Sequence, residues 1–389
     1  MGQHQRRVAF LTFAAVVVVA AHIQSKIRAG TVSARGVNLG GWLVAEQWMT
    51  GDSPIWTGVP ANISGRGEFS TMAFLGRAAG QAAFDEHRRT WITETHIAQI
   101  AAAGLNLVRV PVGYWIQGCV GLPTIQLSND CAVYATGGLA YLDRLVRDWA
   151  VRYNVAVLVN VHGAPGSQNG ADHSGPSMDD GAHWSESDDH VRATRAFVVF
   201  LATRYRQDDA FLGVGLLNEP AGATDDSVLQ QYYVDVYNDV RQGVGSDCIL
   251  VTSPLLWCQN SRCMQDYGVD RSHVWHDWHP YVVWGYDNQT DAQILANGVG
   301  AWANAIRTWT GHPLFLGEWT LVGGAFNTPA GATSLVDAML AMVNGAAAGW
   351  AFWSWRMAGD QTWNRWSLSG LVNAYESLTR FPDWPTAGV

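Results

Sequence analysis

Gly213-Val-Gly-Leu-Leu-Asn-Glu-Pro220 is a short apolar run that ends abruptly in an amide, a carboxylate and a proline. Leu314-Phe-Leu-Gly-Glu-Trp319 repeats the design about a hundred residues later. Six further β-rich runs complete the set: Arg35–Leu39, Leu105–Val112, Val155–His162, Ile249–Ser253, His273–His279 and Gly349–Ser354. Between them lie stretches with helical spacing. Leu139, Leu142, Leu145, Val146 and Trp149 mark one buried helix face, and comparable patterns fill roughly 86–103, 187–207, 227–243, 291–310 and 333–347. Strand–helix alternation repeated eight times predicts an α/β fold, a (β/α)8 barrel with long loops at its C-terminal face. A doubly wound open sheet is the alternative, but no G-x-G-x-x-G turn follows the first strand. The Gly-rich stretch 50–84 reads as an inserted loop. No linker divides the chain, so residues 31–389 are taken as one domain.

The 389 residues are 48% hydrophobic and 15% charged, which excludes both a disordered chain and a polytopic membrane protein. A net charge of −9 argues against nucleic acid or an anionic membrane as partner. Lys26 is the only lysine. Without a lysine amine in its body the protein cannot use Schiff-base or pyridoxal-phosphate chemistry, nor a Walker-A phosphate loop. No organic cofactor is expected. Tryptophan, at 20 residues, is abundant. Most of it serves packing, yet an indole face also suits the C–H face of a sugar ring.

Arg6 and Arg7 precede an apolar run from Val8 to Ala21, too short to span a bilayer comfortably. Residues 1–30 are therefore read as a secretory signal and lead, cleaved at or after about Ala21. Of five cysteines, Cys119/Cys131 and Cys258/Cys263 each bracket a short polar segment and make the economical disulfides, leaving Cys248 as a buried thiol. Asn62-Ile-Ser64 and Asn288-Gln-Thr290 are N-glycosylation sequons.

In a barrel of this kind function gathers where the strands end. Arg109, His162, Asn218, Glu219, His279, Glu318 and Trp353 all fall there. Glu219 and Glu318 each close an apolar strand, where a carboxylate is costly without a task or partner. Strands four and seven face each other across the mouth, so the two could flank a glycosidic bond, one as acid and one at the anomeric carbon. Two structural salt bridges would be the plain alternative, but Arg109 can closely serve only one of them. His273, His276 and His279 are spaced like metal ligands, but strand alternation turns His276 away from the other two. No His-Glu-x-x-His motif and no Gly-x-Ser-x-Gly elbow occurs.

Six segments, in order, resemble glycoside hydrolase family 5, and within it the secreted exo-β-1,3-glucanases of fungi and oomycetes. They are Arg35-Gly-Val-Asn-Leu-Gly-Gly-Trp42, Val108-Arg-Val-Pro-Val-Gly-Tyr-Trp115, His162-Gly-Ala-Pro-Gly-Ser-Gln-Asn-Gly170, Leu217-Asn-Glu-Pro220, Gly317-Glu-Trp319 and Trp350-Ala-Phe-Trp353. The resemblance implies Glu219 as general acid/base and Glu318 as nucleophile, with Arg109 keeping Glu318 ionised. It implies Asn218 on the sugar 2-hydroxyl, His162, His279 and Tyr281 as orienting groups, and Trp353 as the platform under the reacting ring. Glu46 and Asp172 align with acidic positions that bind the terminal glucose. The chain departs from the pattern at Ala171, where an aromatic residue is usual, and at Trp278 and Pro280, where histidine is. Trp284 then keeps half of an aromatic entrance clamp. The expectation is a secreted or cell-wall, monomeric, metal-independent retaining enzyme releasing glucose from β-1,3-glucan. Other β-glucans or β-glucosides, transglycosylation, and a non-catalytic glucan-binding protein are the alternatives.

Overall fold

The computed structural model of the chain describes residues 21–175, 181–323, 326–359, 364–375 and 378. Eight parallel strands close into a barrel in sequence order: β1 (Ala34–Asn38), β2 (Leu107–Gly113), β3 (Ala156–Gly163), β4 (Phe211–Gly215), β5 (Ile249–Thr252), β6 (Val274–Trp278), β7 (Leu314–Leu316) and β8 (Gly349–Phe352). The ring shuts where Ala34 of β1 pairs with Gly349 of β8. This is the (β/α)8 barrel that the eight runs predict.

Alternation along the strands sorts the side chains. On β2 and β3, Val108, Val110, Val157, Val159 and Val161 face outward into the helix layer. Leu107, Ala156 and Leu158 face inward with Ile249, Val251, Trp275, Phe315 and Ala351, and fill the lower barrel with an apolar plug. Two residues further up the same inward faces stand Arg109, Asn160 and Asp277, and four further up stand His162 and His279. The floor of the barrel is thus dry packing, and its upper layers carry the polar groups.

The helix Ile23–Arg28 seals the lower mouth. Ile23 and Ile27 join the inner plug, the Ile23 N–H donates to Asn154 Oδ1 (2.8 Å), and His22 bonds the Ala150 carbonyl. The barrel body therefore starts before residue 31. The apolar segment of the expected signal lies outside the described residues. The stretch 50–84 differs from the expected loop, because most of it is helical: Ala61–Ser64, Gly67–Leu75 and the start of Arg77–Trp91. Gly76, with φ +74°, separates the last two of these helices, while the Ala-rich remainder favours helix and buries Phe84, His87, Arg88 and Trp91. Cys119–Cys131 and Cys258–Cys263 are bonded, and Cys248 is free and buried. Asn62 and Asn288 are exposed. Among the described residues no helix is long and apolar enough to cross a membrane.

Candidate active site

Arg109 is the hub of the upper barrel. Fully buried, its Nη1 donates to Asn38 Oδ1 (2.9 Å) and Glu318 Oε1 (2.8 Å), and its Nη2 to Asn218 Oδ1 (2.6 Å). Asp277 Oδ2 lies 3.6 Å from Nη2. Glu318 follows β7 by two residues, and Gly317 makes that turn possible. Its N–H donates to Asp277 Oδ1 at 2.7 Å, and a Cβ there would lie 2.4 Å from the Asp277 carboxylate oxygens. The Tyr281 hydroxyl donates to Glu318 Oε2 (2.9 Å).

Glu219 ends the chain leaving β4 in a left-handed backbone conformation, φ +46°, a strained geometry for a non-glycine residue and one typical of functional positions. The Gln-Asn pair of the β3 loop holds it there. Gln168 Nε2 donates to the carbonyls of His162 (2.7 Å) and Asn218 (3.0 Å), and Asn169 Nδ2 donates to that of Glu219 (3.1 Å). His279 joins the two carboxylates, with Nδ1 2.6 Å from Glu219 Oε1 and 3.6 Å from Glu318 Oε2. Its Nε2 lies 3.3 Å from Asp277 Oδ2, and the Gln259 side chain accepts its backbone N–H. One oxygen of Glu219, one of Glu318 and a nitrogen of His279 all lie within 4.8 Å of one another.

The charges follow from this packing. Burial alone would lower the His279 pKa, but the charges of Glu318 and Asp277, with hydrogen bonds to Asp277 and Glu219, push it up to about 10. Burial would raise Glu219, but the bond and charge of His279, backed by His173 and Arg109, hold it below the usual carboxylate value. Glu318 is raised by burial and by the charge of Glu219, against the pull of His279, Arg109 and Tyr281. The proton of this cluster therefore rests on His279 beside Glu219. The sequence gives no sign of the charged imidazole that orders this cluster. Both His279 nitrogens are engaged by carboxylates.

Around this centre lies a cleft of about 340 Å³ lined by Glu46, Trp48, His162, Ala171, Asp172, His173, Glu219, Tyr281, Trp284, Glu318, Trp353 and Trp366. Trp353 packs on Met49 and Met357 and lies parallel to the His162 ring, 5.6 Å away at 4°. Burial holds His162 neutral, its pKa well below the usual value. Glu46 is raised well above the carboxylate range by burial and by Asp172, although Trp48 donates to its Oε2 (2.9 Å). Burial also raises Asp172. His173 Nδ1 stands 3.9 Å from Glu46 and 3.8 Å from Asp172. The inserted helices support this wall, since Gly67 (φ +80°) passes so close that a Cβ would meet the Asp172 carbonyl at 2.0 Å. Among the described residues Glu46 Oε1 and Asn218 Nδ2 are buried without a hydrogen-bond partner.

All eleven residues singled out in the sequence meet here. His273 and His276 do not: His273 sits at the opposite end of β6, and His276 faces outward, stacked on Trp309 at 4.7 Å. The sequence reading missed Asn38, Asn160, His173, Asp277, Trp48 and Trp366. Asp277 shares strand parity with His279, but the large side chains around it mask that alternation in the sequence. Trp48 and Trp366 come from loops with no periodic signal.

Residues 74–359 match the model of the family described as cellulase (glycosyl hydrolase family 5). A probable glucan 1,3-beta-glucosidase A from Aspergillus clavatus is 30% identical over 90% of this chain and 88% of that protein. A glucan 1,3-beta-glucosidase from Blumeria graminis is 40% identical over 53% of this chain and 46% of that protein. Among solved structures, a rutinosidase from Aspergillus niger superposes with a TM-score of 0.72 at 19% identity, over 91% of this chain and 99% of its own. That likeness speaks for the fold.

Proposed function

The chain belongs to glycosyl hydrolase family 5, and from that premise we propose that it is a retaining hydrolase of β-1,3-glucan that releases glucose from non-reducing ends. The observation that carries the reading is the spacing of Glu219 and Glu318, with one oxygen of each within 4.8 Å. Retaining enzymes hold their carboxyl groups ~5–5.5 Å apart, and inverting ones ~6.5–9.5 Å apart to admit a water.

The sugar ring lies on Trp353, its 2-hydroxyl accepting the unpartnered Asn218 amide, while Glu46, Asp172 and His173 bind the terminal hydroxyls. Glu219 takes the proton from His279 across their 2.6 Å contact and passes it to the leaving oxygen. With the proton on Glu219, Glu318 carries the negative charge, stabilised by Arg109 and Tyr281. Glu318 attacks the anomeric carbon to form a glucosyl ester. Glu219 then removes a proton from water, which releases glucose with its configuration kept. The cleft volume is at the low end of the ~300–1,000 Å³ usual for ligand sites, which favours a chain end over the middle of a polymer. The basic and apolar N-terminus, two disulfides and exposed sequons support secretion to the cell exterior or wall.

Incubation of the purified protein with laminarin, followed by proton NMR, tests the proposal. Glucose should appear first as the β-anomer while the polymer shortens slowly. Initial α-glucose, or no turnover of laminarin, overturns it.

A further inference from the structure

β6 ends at Trp278, so His279 is the first residue beyond the strand. Backbone bonds alternate in direction along a strand. The His276 N–H donates to the Pro313 carbonyl and the Trp278 carbonyl accepts from Gly317, both at 3.1 Å and both toward β7. The N–H of His279 therefore points the other way, toward β5. But β5 stops pairing at Thr252, opposite His276. A buried N–H needs an acceptor, and His279 is buried. Gln259, in the loop after β5, supplies one with its side-chain oxygen.

That loop is itself tied down. The Leu256 N–H donates to the carbonyl of Pro220, the residue after Glu219, at 2.8 Å. Cys258 is buried in the outer core, and its disulfide to Cys263 closes a small ring with Gln259 as the first residue inside it. Within the ring the Asn260 N–H donates to the Cys258 carbonyl (3.0 Å) and the Cys263 N–H to that of Asn260 (3.3 Å). One short loop thus grips the chain just past Glu219 and the chain at His279. The restraint runs further, because the His279 carbonyl accepts from the Tyr281 N–H at 2.9 Å, across Pro280 with its fixed φ. Gln259 does not line the cleft.

We propose that Gln259 is a positioning residue for the acid/base pair, and that the Cys258–Cys263 disulfide serves catalysis by holding Gln259 against the His279 backbone. The inference rests on the glycosidase reading above. No bond forms or breaks at Gln259. It acts through the His279 ring, which must stand between Glu219 and Asp277 for the proton to pass. That ring faces Glu219 from the turn after β4, Asp277 from β6 and Glu318 from the turn after β7, with Arg109 of β2 and the neutral His162 of β3 behind them. Its charge depends on closeness to the three carboxylates, so a ring that drifts gives up its proton at lower pH.

Gln259→Met keeps the size and removes the acceptor, and Gln259→Glu keeps an acceptor oxygen. Gln259 is half-buried in a loop outside the barrel wall, so neither change threatens the fold. With laminarin, Gln259→Met should lower kcat roughly ten- to hundredfold, the cost of a small misplacement of reacting groups. KM should stay nearly unchanged, and the basic limb of kcat/KM should move to lower pH. Gln259→Glu should restore most of the rate. Cys258→Ser combined with Cys263→Ser should show the same kcat loss and the same shift of the limb while the protein remains folded at the assay temperature. A Gln259→Met protein with unaltered kcat and basic limb, or equal losses in the Met and Glu variants, overturns the positioning role. An unaltered double serine variant overturns the role of the disulfide. If the unmodified protein turns over no laminarin, the glycosidase reading falls, and proton NMR still decides the positioning role. The ring signal of His279, assigned with His279→Gln, should titrate at lower pH in Gln259→Met than in the unmodified protein, and coincident titrations would overturn it.

Discussion

Replacing Glu219 with alanine should separate the two halves of the reaction. The substitution removes the acid and leaves Glu318 with Arg109 at 2.8 Å and Tyr281 at 2.9 Å, so the nucleophile keeps its setting. His279 keeps Asp277, so its charge is not stranded. General acid catalysis typically contributes ~10²–10⁴-fold. The loss should fall in that range for laminarin, whose leaving alcohol needs a proton, and nearly vanish in the glycosylation of a dinitrophenyl glucoside. Deglycosylation then becomes slow, and azide should restore turnover with β-glucosyl azide as product. A second effect follows from charge. With one oxygen of each within 4.8 Å, two carboxylates repel by at least roughly 3 kcal/mol at an effective dielectric of ~20. The charge of Glu219 is one cause of the raised Glu318 pKa. Removing it makes Glu318 easier to ionise, so the acid limb of kcat/KM for the dinitrophenyl glucoside should move to lower pH than in the unmodified protein. An α-azide, or an acid limb that stays in place or moves upward, refutes both the assignment of roles and the coupling.

Glu318→Gln should abolish turnover of every glucoside whatever its leaving group, and azide should not restore it with retained configuration; activity near the unmodified level would reverse the roles. His279 should make stability pH-dependent. Its folded pKa of about 10 lies above the free value of 6.5, so its contribution is fully present below about pH 6.5 and lost as pH rises through 10. The Tm should therefore fall over that window, and fall less in His279→Gln; parallel curves for the two proteins would contradict the charged ring. Mass spectrometry of secreted protein should find a first residue close to Ala21, because Ile23 is bonded and buried in the barrel floor, together with a Cys119–Cys131 linked peptide. A start after Arg28, or all thiols free, would count against the reading.

The barrel and the two glutamates were legible in the sequence for one reason: a parallel strand buried on both faces tolerates a charge only at its end. Glu219 and Glu318 break apolar runs and stand out, as do Arg109 and His162. Asp277 was hidden because Trp275, His276 and Trp278 surround it, and a run of large mixed side chains obscures the alternation that turns it inward with His279. That residue contributes to the electrostatics, after Glu318, by raising the His279 pKa. It anchors Gly317, lies 3.6 Å from Arg109 and flanks His279, and without its charge the imidazole would have less reason to stay protonated. The charge on His279 therefore depends in part on a carboxylate that does not line the cleft. The loop tryptophans were hidden for a different reason. Trp48 and Trp366 come from opposite ends of the chain and meet only because the barrel closes β1 on β8, bringing the loops after the first and last strands to the same rim. Local pattern can find a residue whose role is fixed by its own strand. A wall assembled by ring closure becomes visible only once the ring is drawn.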